Sequence, residues 1–214
     1  MKTNTKLAAF AFGAMASFTV SAANAQDLPN VRMIATGGTI AGAQASAGDY
    51  GYKSGAYDVN TLIDAVPNLS KLADITGEQV VNIGSQDMND EVWLKLAKSV
   101  AAAQADADVD GIVIMHGTDT LEETSYFLSL VTQGTKPVVM VGSMRPATAT
   151  SADGPGNIYN GVAVAISPEA SGKGTLVSLN DEFHYARNIV KTNTTSLQTF
   201  ESVNRGPAGL VHTG

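Results

Sequence analysis

The chain has 214 residues, 44% hydrophobic and 15% charged, with no cysteine and a formal net charge of −7. Without cysteine it has neither a disulfide scaffold nor thiolate chemistry, and without a basic cluster it is a poor partner for nucleic acid or anionic membrane. What remains is a globular, enzyme-sized fold of one large domain, or of one domain and a fragment.

Taken in order, Lys2 and Lys6 precede an apolar run over 7–20 that is too short to span a bilayer. Ala23, Asn24 and Ala25 then supply a small-x-small pattern. This predicts a secretory signal over 1–25 cut after Ala25, and hence a periplasmic or secreted protein. Cleavage would leave 189 residues and, by removing two lysines, a charge of −9. No later apolar run approaches transmembrane length.

From there, short β-rich runs alternate with helical patterns, the signature of βαβ units on a parallel sheet. Strands are predicted at 31–36, 79–83, 111–115, 137–141 and 175–179. Helices are predicted at 60–65, stopping near Pro67; after an Asn89 or Asp90 cap, with Val92, Leu96 and Val100 on one face; at 121–131; and at 157–167. The fold class is therefore α/β, a three-layer, doubly wound, mostly parallel sheet of the Rossmann or flavodoxin kind.

In such sheets ligands bind beyond the carboxyl ends of the strands. The first strand stops at Thr36 and gives way to Gly37, Gly38 and Thr39. Two glycines remove the Cβ atoms that block close backbone approach, so Thr39 can be displayed beside bare amides. A Gly pair is also an ordinary turn signal, and this stretch alone leaves nucleophile and plain turn both open. The next strand ends deliver Gly84, Ser85 and Gln86, then HGTDT at 116–120, then GSMR at 142–145, which includes Ser143. Four strand ends carrying hydroxyls and carboxylates, without either phosphate-cradling glycine pattern, point away from nucleotides. His116, His184 and His212 are scattered along the chain, so no metal is implied, and no other cofactor.

ATGGTIAG at 35–42, GEQVVNIGSQDMND at 77–90, HGTDT at 116–120 and VKTNTT at 190–195 together resemble the bacterial type II L-asparaginases and glutaminase-asparaginases. The resemblance covers residues 28–214. It implies an asparaginase N-terminal domain over 26–214, with the smaller C-terminal domain of that family beyond it. It also implies a homotetramer of close dimers, in which a glutamate from the neighbouring subunit's missing part completes each site.

Carried onto this sequence, the resemblance makes Thr39 the nucleophile, with Tyr52 hydrogen-bonded to it; Tyr50 and Tyr57 lie nearby, and Tyr52 is chosen by its spacing to Leu62. Thr118 and Lys191 form a coupled pair, and Asp119 holds the substrate α-ammonium. Ser85 receives the α-carboxylate and Gln86 the ammonium side, with Gly84 and Ser143 lining the site. A threonine hydroxyl is a weak nucleophile that needs a positioned proton acceptor. Ile189 shares a strand face with Lys191, which predicts partial desolvation of the ammonium. The implied reaction is hydrolysis of the side-chain amide of L-asparagine, with L-glutamine open as a second substrate, through an acyl-threonine. The alternative is a truncated, inactive fragment that binds an amino acid or a partner subunit. An amino-acid receptor fits less well, since binding alone has no need for two threonines and a lysine.

Overall fold

The computed structural model describes residues 27–46, 49 and 51–212. The expected signal over 1–25, and Tyr50, lie outside the described residues. The strands are β1 (Asn30–Gly37), β2 (Ala43–Gln44), β3 (Tyr52–Lys53), β4 (Asp74–Ile83), β5 (Gly111–Met115), β6 (Val138–Val141), β7 (Thr175–Leu179), β8 (Glu182–Tyr185), β9 (Val190–Lys191), β10 (Phe200–Glu201) and β11 (Gly209–Leu210). The α-helices are α1 (Val59–Asp64), α2 (Asp90–Ala105), α3 (Leu121–Val131) and α4 (Gly154–Ala165).

A seven-stranded sheet runs in the order β11-β8-β7-β6-β5-β1-β4. The stretch from β7 to β4 is parallel, and β8 and β11 extend one edge antiparallel. Counting the parallel strands along the chain gives the order 2-1-3-4-5, which reverses direction between β1 and β5. This is the position where a doubly wound sheet opens a crevice.

Strand alternation sends Met33, Ala35, Val113, Met115 and Val141 to one face, against Leu62 of α1 and Ile158 and Val162 of α4. Ile34, Ile112, Ile114 and Met140 point the other way, against Leu96 and Val100 of α2 and Leu121 and Leu128 of α3. Three layers follow from that alternation, as the sequence predicts. β5, β6 and β7 are buried at every position, which is why β5 and β6 read as continuous apolar runs, while β7 interrupts its run with the buried hydroxyls of Thr175 and Ser178.

The structure departs from the sequence reading where burial is one-sided. β4 begins at Asp74, five residues before the expected strand, because as an edge strand it alternates exposed polar and half-buried positions. β8 was not foreseen, although Asn180 and Asp181, with φ of 52° and 63°, make the kind of positive-φ turn that joins hairpin strands. Helix α4 starts at Gly154 and accommodates Pro155 in its first turn, where the missing N–H costs nothing. Asn89 caps α2 by accepting from the Val92 N–H at 3.1 Å.

Gly161 lets α4 lie directly on β6: a Cβ there would stand 2.5 Å from Val141 Cγ1. Alanine would gain up to about 1 kcal/mol in helix propensity, while forcing a methyl into a full core costs roughly 1–3 kcal/mol. Gly161→Ala is therefore expected to lower the melting temperature. An unchanged or higher value by thermal denaturation would show that the helix can lift off the sheet without penalty.

Candidate active site

Three strand ends are drawn together by glycine. Gly37 and Gly38, at the end of β1, have φ of 103° and 85°, a region that L side chains rarely adopt. A Cβ on Gly38 would lie 2.3 Å from the Cα of Gly117, and one on Gly117 would lie 2.6 Å from Ser85 Oγ. The Gly38 N–H donates to the Ile83 carbonyl at 2.8 Å. The loops after β1, β4 and β5 thus touch backbone to backbone at the point where the sheet order reverses.

The first cluster is Thr39 with Tyr52. Thr39, 7% exposed, occupies a single 3-10 turn after Gly38, and its hydroxyl is 2.6 Å from the Tyr52 hydroxyl. Tyr52 arrives on β3, paired with β2 through Gln44. Its ring is seated over Gly42, where a Cβ would come within 2.8 Å. The returning loop is tied down by the Gly55 N–H to the Gly38 carbonyl (3.1 Å) and the Ala56 and Tyr57 N–H groups to the Ala41 carbonyl (2.7 and 3.0 Å).

The second cluster follows β5. Lys191 Nζ donates to Thr118 Oγ1 at 3.0 Å and to Asp119 Oδ1 at 2.8 Å. The Lys191 side chain is 15% exposed and that of Asp119 61%, so the lysine is largely desolvated, as the strand pattern predicts. Ser85 Oγ accepts from the Asp119 N–H at 3.1 Å, and the Ser85 carbonyl accepts from the Thr120 hydroxyl at 2.9 Å. The Gln86 side chain lies across Gly84, where a Cβ would meet its Nε2 at 2.5 Å. A cleft of about 500 Å³ opens between Asp119 and residues 191–195. A separate, more apolar cavity of about 400 Å³, lined by Val164, Leu176, Phe183 and Leu210, lies apart from these groups.

The structure thus brings Thr39 to Tyr52, and Thr118, Asp119, Lys191 and Ser85 to one another. Ser143 is not joined to either cluster: fully buried after β6, it donates to the Arg145 carbonyl at 2.7 Å within its own turn. Glu122, which the sequence reading did not single out, accepts from the Lys191 backbone N–H. The available sign was its place in the first turn of α3, directly after HGTDT. His116 is buried, and Nδ1–H donates to the Gly117 carbonyl at 2.7 Å. Loss of hydration lowers its pKa from 6.5 to about 4, opposed in part by that hydrogen bond. Among the described residues, no group of three or more His, Asp and Glu side chains is arranged to hold a metal ion.

Residues 30–214 match the family model described as asparaginase, N-terminal. A protein named probable L-asparaginase periplasmic, from Haemophilus influenzae, is 54% identical over 97% of this chain and 59% of its own length. L-asparaginase 2 of Escherichia coli is 54% identical over 87% of this chain and 53% of its own length. Glutaminase-asparaginase of Pseudomonas fluorescens is 51% identical over 87% of this chain and 52% of its own. The chain therefore spans about half the length of the curated relatives it matches. The crystal structure of a probable cytoplasmic L-asparaginase from Campylobacter jejuni superposes with a TM-score of 0.83 at 49% identity, over 86% of this chain and 56% of that one.

Because His116 is neutral in the fold while the unfolded chain takes up a proton near 6.5, its contribution to stability is fully present above that pH. It is lost as the pH falls toward about 4. The loss approaches roughly 3 kcal/mol. His184, also lowered by burial and opposed by Glu182, acts in the same direction. Denaturant titrations between pH 7 and 4 should therefore show a shallower decline for His116→Gln than for the wild type. Parallel declines would mean that His116 is not held neutral.

Proposed function

The chain belongs to the asparaginase family, and on that premise we propose that it hydrolyses the side-chain amide of L-asparagine to L-aspartate and ammonia through an acyl-threonine. The observation that carries this reading is the pair of hydroxyl clusters at adjacent strand ends, Thr39–Tyr52 and Thr118–Asp119–Lys191. L-glutamine is proposed as a second substrate, a reading supported by similarity to a protein named glutaminase-asparaginase.

In this mechanism Thr39 Oγ attacks the side-chain carbonyl carbon. Its proton passes to the Tyr52 oxygen as Tyr52 releases its own toward the departing nitrogen, the C–N bond breaks, and ammonia leaves an aspartyl ester on Thr39. Water then adds to the ester carbon, the C–O bond to Thr39 breaks, and the proton restores the threonine hydroxyl. Lys191 donates to Thr118 Oγ1, which leaves the Thr118 proton free for a third group. Proton transfer of this kind is typically worth ~10²- to 10⁴-fold, and amides such as those of Thr39 and Thr118, placed at the oxyanion, a further ~10²- to 10³-fold each.

Recognition of the amino-acid end falls to Asp119 and Ser85. Lys191 engages one Asp119 oxygen, so the other is available to an α-ammonium. Ser85 Oγ accepts from a backbone amide and keeps its proton for the α-carboxylate. Gln86 and Gly84 flank the ammonium side. Binding without turnover is the second reading, favoured by the exposure of Asp119 (61%) and Tyr52 (42%), since an oxyanion open to water gains less from fixed donors. We further propose export with cleavage after Ala25 and a homo-oligomeric assembly. Exposed Leu94, Tyr126, Leu130 and Val131 support the latter.

Thr39→Ala and Thr118→Ala should each cut ammonia release from L-asparagine by ~10²-fold or more with unchanged melting behaviour. Acid-quenched wild type should carry an aspartyl adduct on the Thr39 peptide by mass spectrometry. Near-normal turnover in Thr39→Ala, or an adduct elsewhere, would overturn the nucleophile assignment; L-aspartate binding without ammonia release would establish the second reading. Expressed with its N-terminal segment in a bacterium that has a periplasm, the protein should be recovered from that compartment with Gln26 as first residue. Recovery in the cytoplasm beginning at Met1 would refute export.

A further inference from the structure

We infer that Glu122 is a positioning residue that fixes Lys191 against Thr118, an inference that rests on the reading of Lys191 and Thr118 as a working pair. Lys191 lies in β9, a two-residue strand paired with β10 through Phe200, outside the seven-stranded sheet. The main ladder therefore does not set its register. Ile189 and Phe200 bury their side chains in the cluster shared with α2 and α3, which presses the β9–β10 pair onto that layer. Apolar burial has no direction, and the side-chain bonds that tie the pair to the main fold, Asn180 to Gln198 at 2.7 Å and His184 with Ser202 at 3.0 Å, lie on the β10 side, away from the lysine itself.

Glu122 supplies direction at the lysine itself. It occupies the first turn of α3, where the helix dipole favours a carboxylate without a neighbouring cation, and its Oε2 accepts from the Lys191 backbone N–H. Three and four residues earlier, Asp119 and Thr118 engage the Lys191 ammonium. One short segment, 118–122, thus holds both ends of the same lysine, its backbone and its charged tip. The bond to the backbone is made by a charged acceptor, the stronger class of hydrogen bond. The distance from Lys191 Nζ to Thr118 Oγ1 is thereby referred to a single rigid turn, and not to the long connection between β5 and β9.

The test is a double-mutant cycle on the full chain with steady-state ammonia release, together with ¹⁵N-resolved NMR of the Lys191 amide. Glu122→Ala should lower kcat about 10²-fold, the scale of a misplacement near 1 Å. Glu122→Gln, which keeps an acceptor oxygen, should recover most of that loss. In the Lys191→Met background Glu122→Ala should add no further loss. The Lys191 amide proton should lie far downfield in the wild type and move upfield in Glu122→Ala while the Phe200 amide stays in place. An Ala variant with near wild-type kcat, a Gln variant no better than Ala, or an equal loss with and without Lys191 would each overturn the role. If the wild type releases no ammonia, the proposed function fails while the amide shift still reports on the clamp; an amide indifferent to Glu122 would then overturn the inference by itself.

Discussion

Backbone contact between Gly38 and Gly117 sets the geometry of everything functional in this molecule. A methyl at Gly38 would fall 2.3 Å from the facing Cα, well inside van der Waals contact, so any side chain there would wedge the loops after β1 and β5 apart. Those loops diverge by nature, because the sheet order reverses between the two strands. Glycine closes the crevice to backbone width on one side, and Thr39 and Thr118, each one residue beyond its glycine, are left at its rim. Ser85 is brought in by the same means across Gly117.

The remainder of the fold explains why the chemistry can be only at strand ends. β5, β6 and β7 are buried on both faces, where a polar side chain loses hydration with little in exchange, as Thr175 and Ser178 of β7 do with hydroxyls that find no partner. Two or three residues past each strand the cover thins, and hydroxyls at Thr39, Ser85 and Thr118 remain nearly buried yet find partners. His116 marks the limit of this arrangement. It stands at the last covered position after β5, one ring nitrogen bonded to the Gly117 carbonyl and Nε2 left without a partner, which is tolerable only for the neutral ring.

Elements buried on both faces were legible in the sequence because the hydrophobic signal is continuous there; elements exposed on one side were not. Hence the parallel strands and helices match their expected positions to within a few residues, and the strand at Lys191 was expected, while the first half of β4 and the short strands β8, β10 and β11 were missed. The Thr39–Tyr52 and Thr118–Asp119–Lys191 contacts are where motif resemblance led one to look, and the choice of Tyr52 over Tyr57 agrees with the hydroxyl contact. Glu122 was invisible for a physical reason. Its partner is a backbone amide 69 residues away, and an acidic residue in a first helical turn is what any helix N-terminus would carry. Ser143 shows the converse, a strand-end hydroxyl whose bond is spent inside its own turn.

The two clusters differ in charge, and that difference bears on how one site could serve two tasks. Thr39 and Tyr52 are neutral hydroxyls at 2.6 Å, so passing the Thr39 proton to Tyr52 avoids an alkoxide beside an oxonium only when Tyr52 gives up its own proton in the same step, and a partly desolvated place favours that concerted route because separated charge is costly there. Thr118, Asp119 and Lys191 carry one charge of each sign, matching a zwitterionic α-amino acid that presents one of each. In the proposed reaction an amino-acid substrate would exchange ionic contacts with this cluster at little net change in buried charge, with the bond to be broken toward the neutral pair. Had the ionic cluster been placed at Thr39, its carboxylate would oppose the developing oxyanion. In the proposed reaction, the separation of the two across the Gly38–Gly117 contact would keep the anion of Asp119 on the recognition side and the neutral hydroxyls beside the reacting carbon.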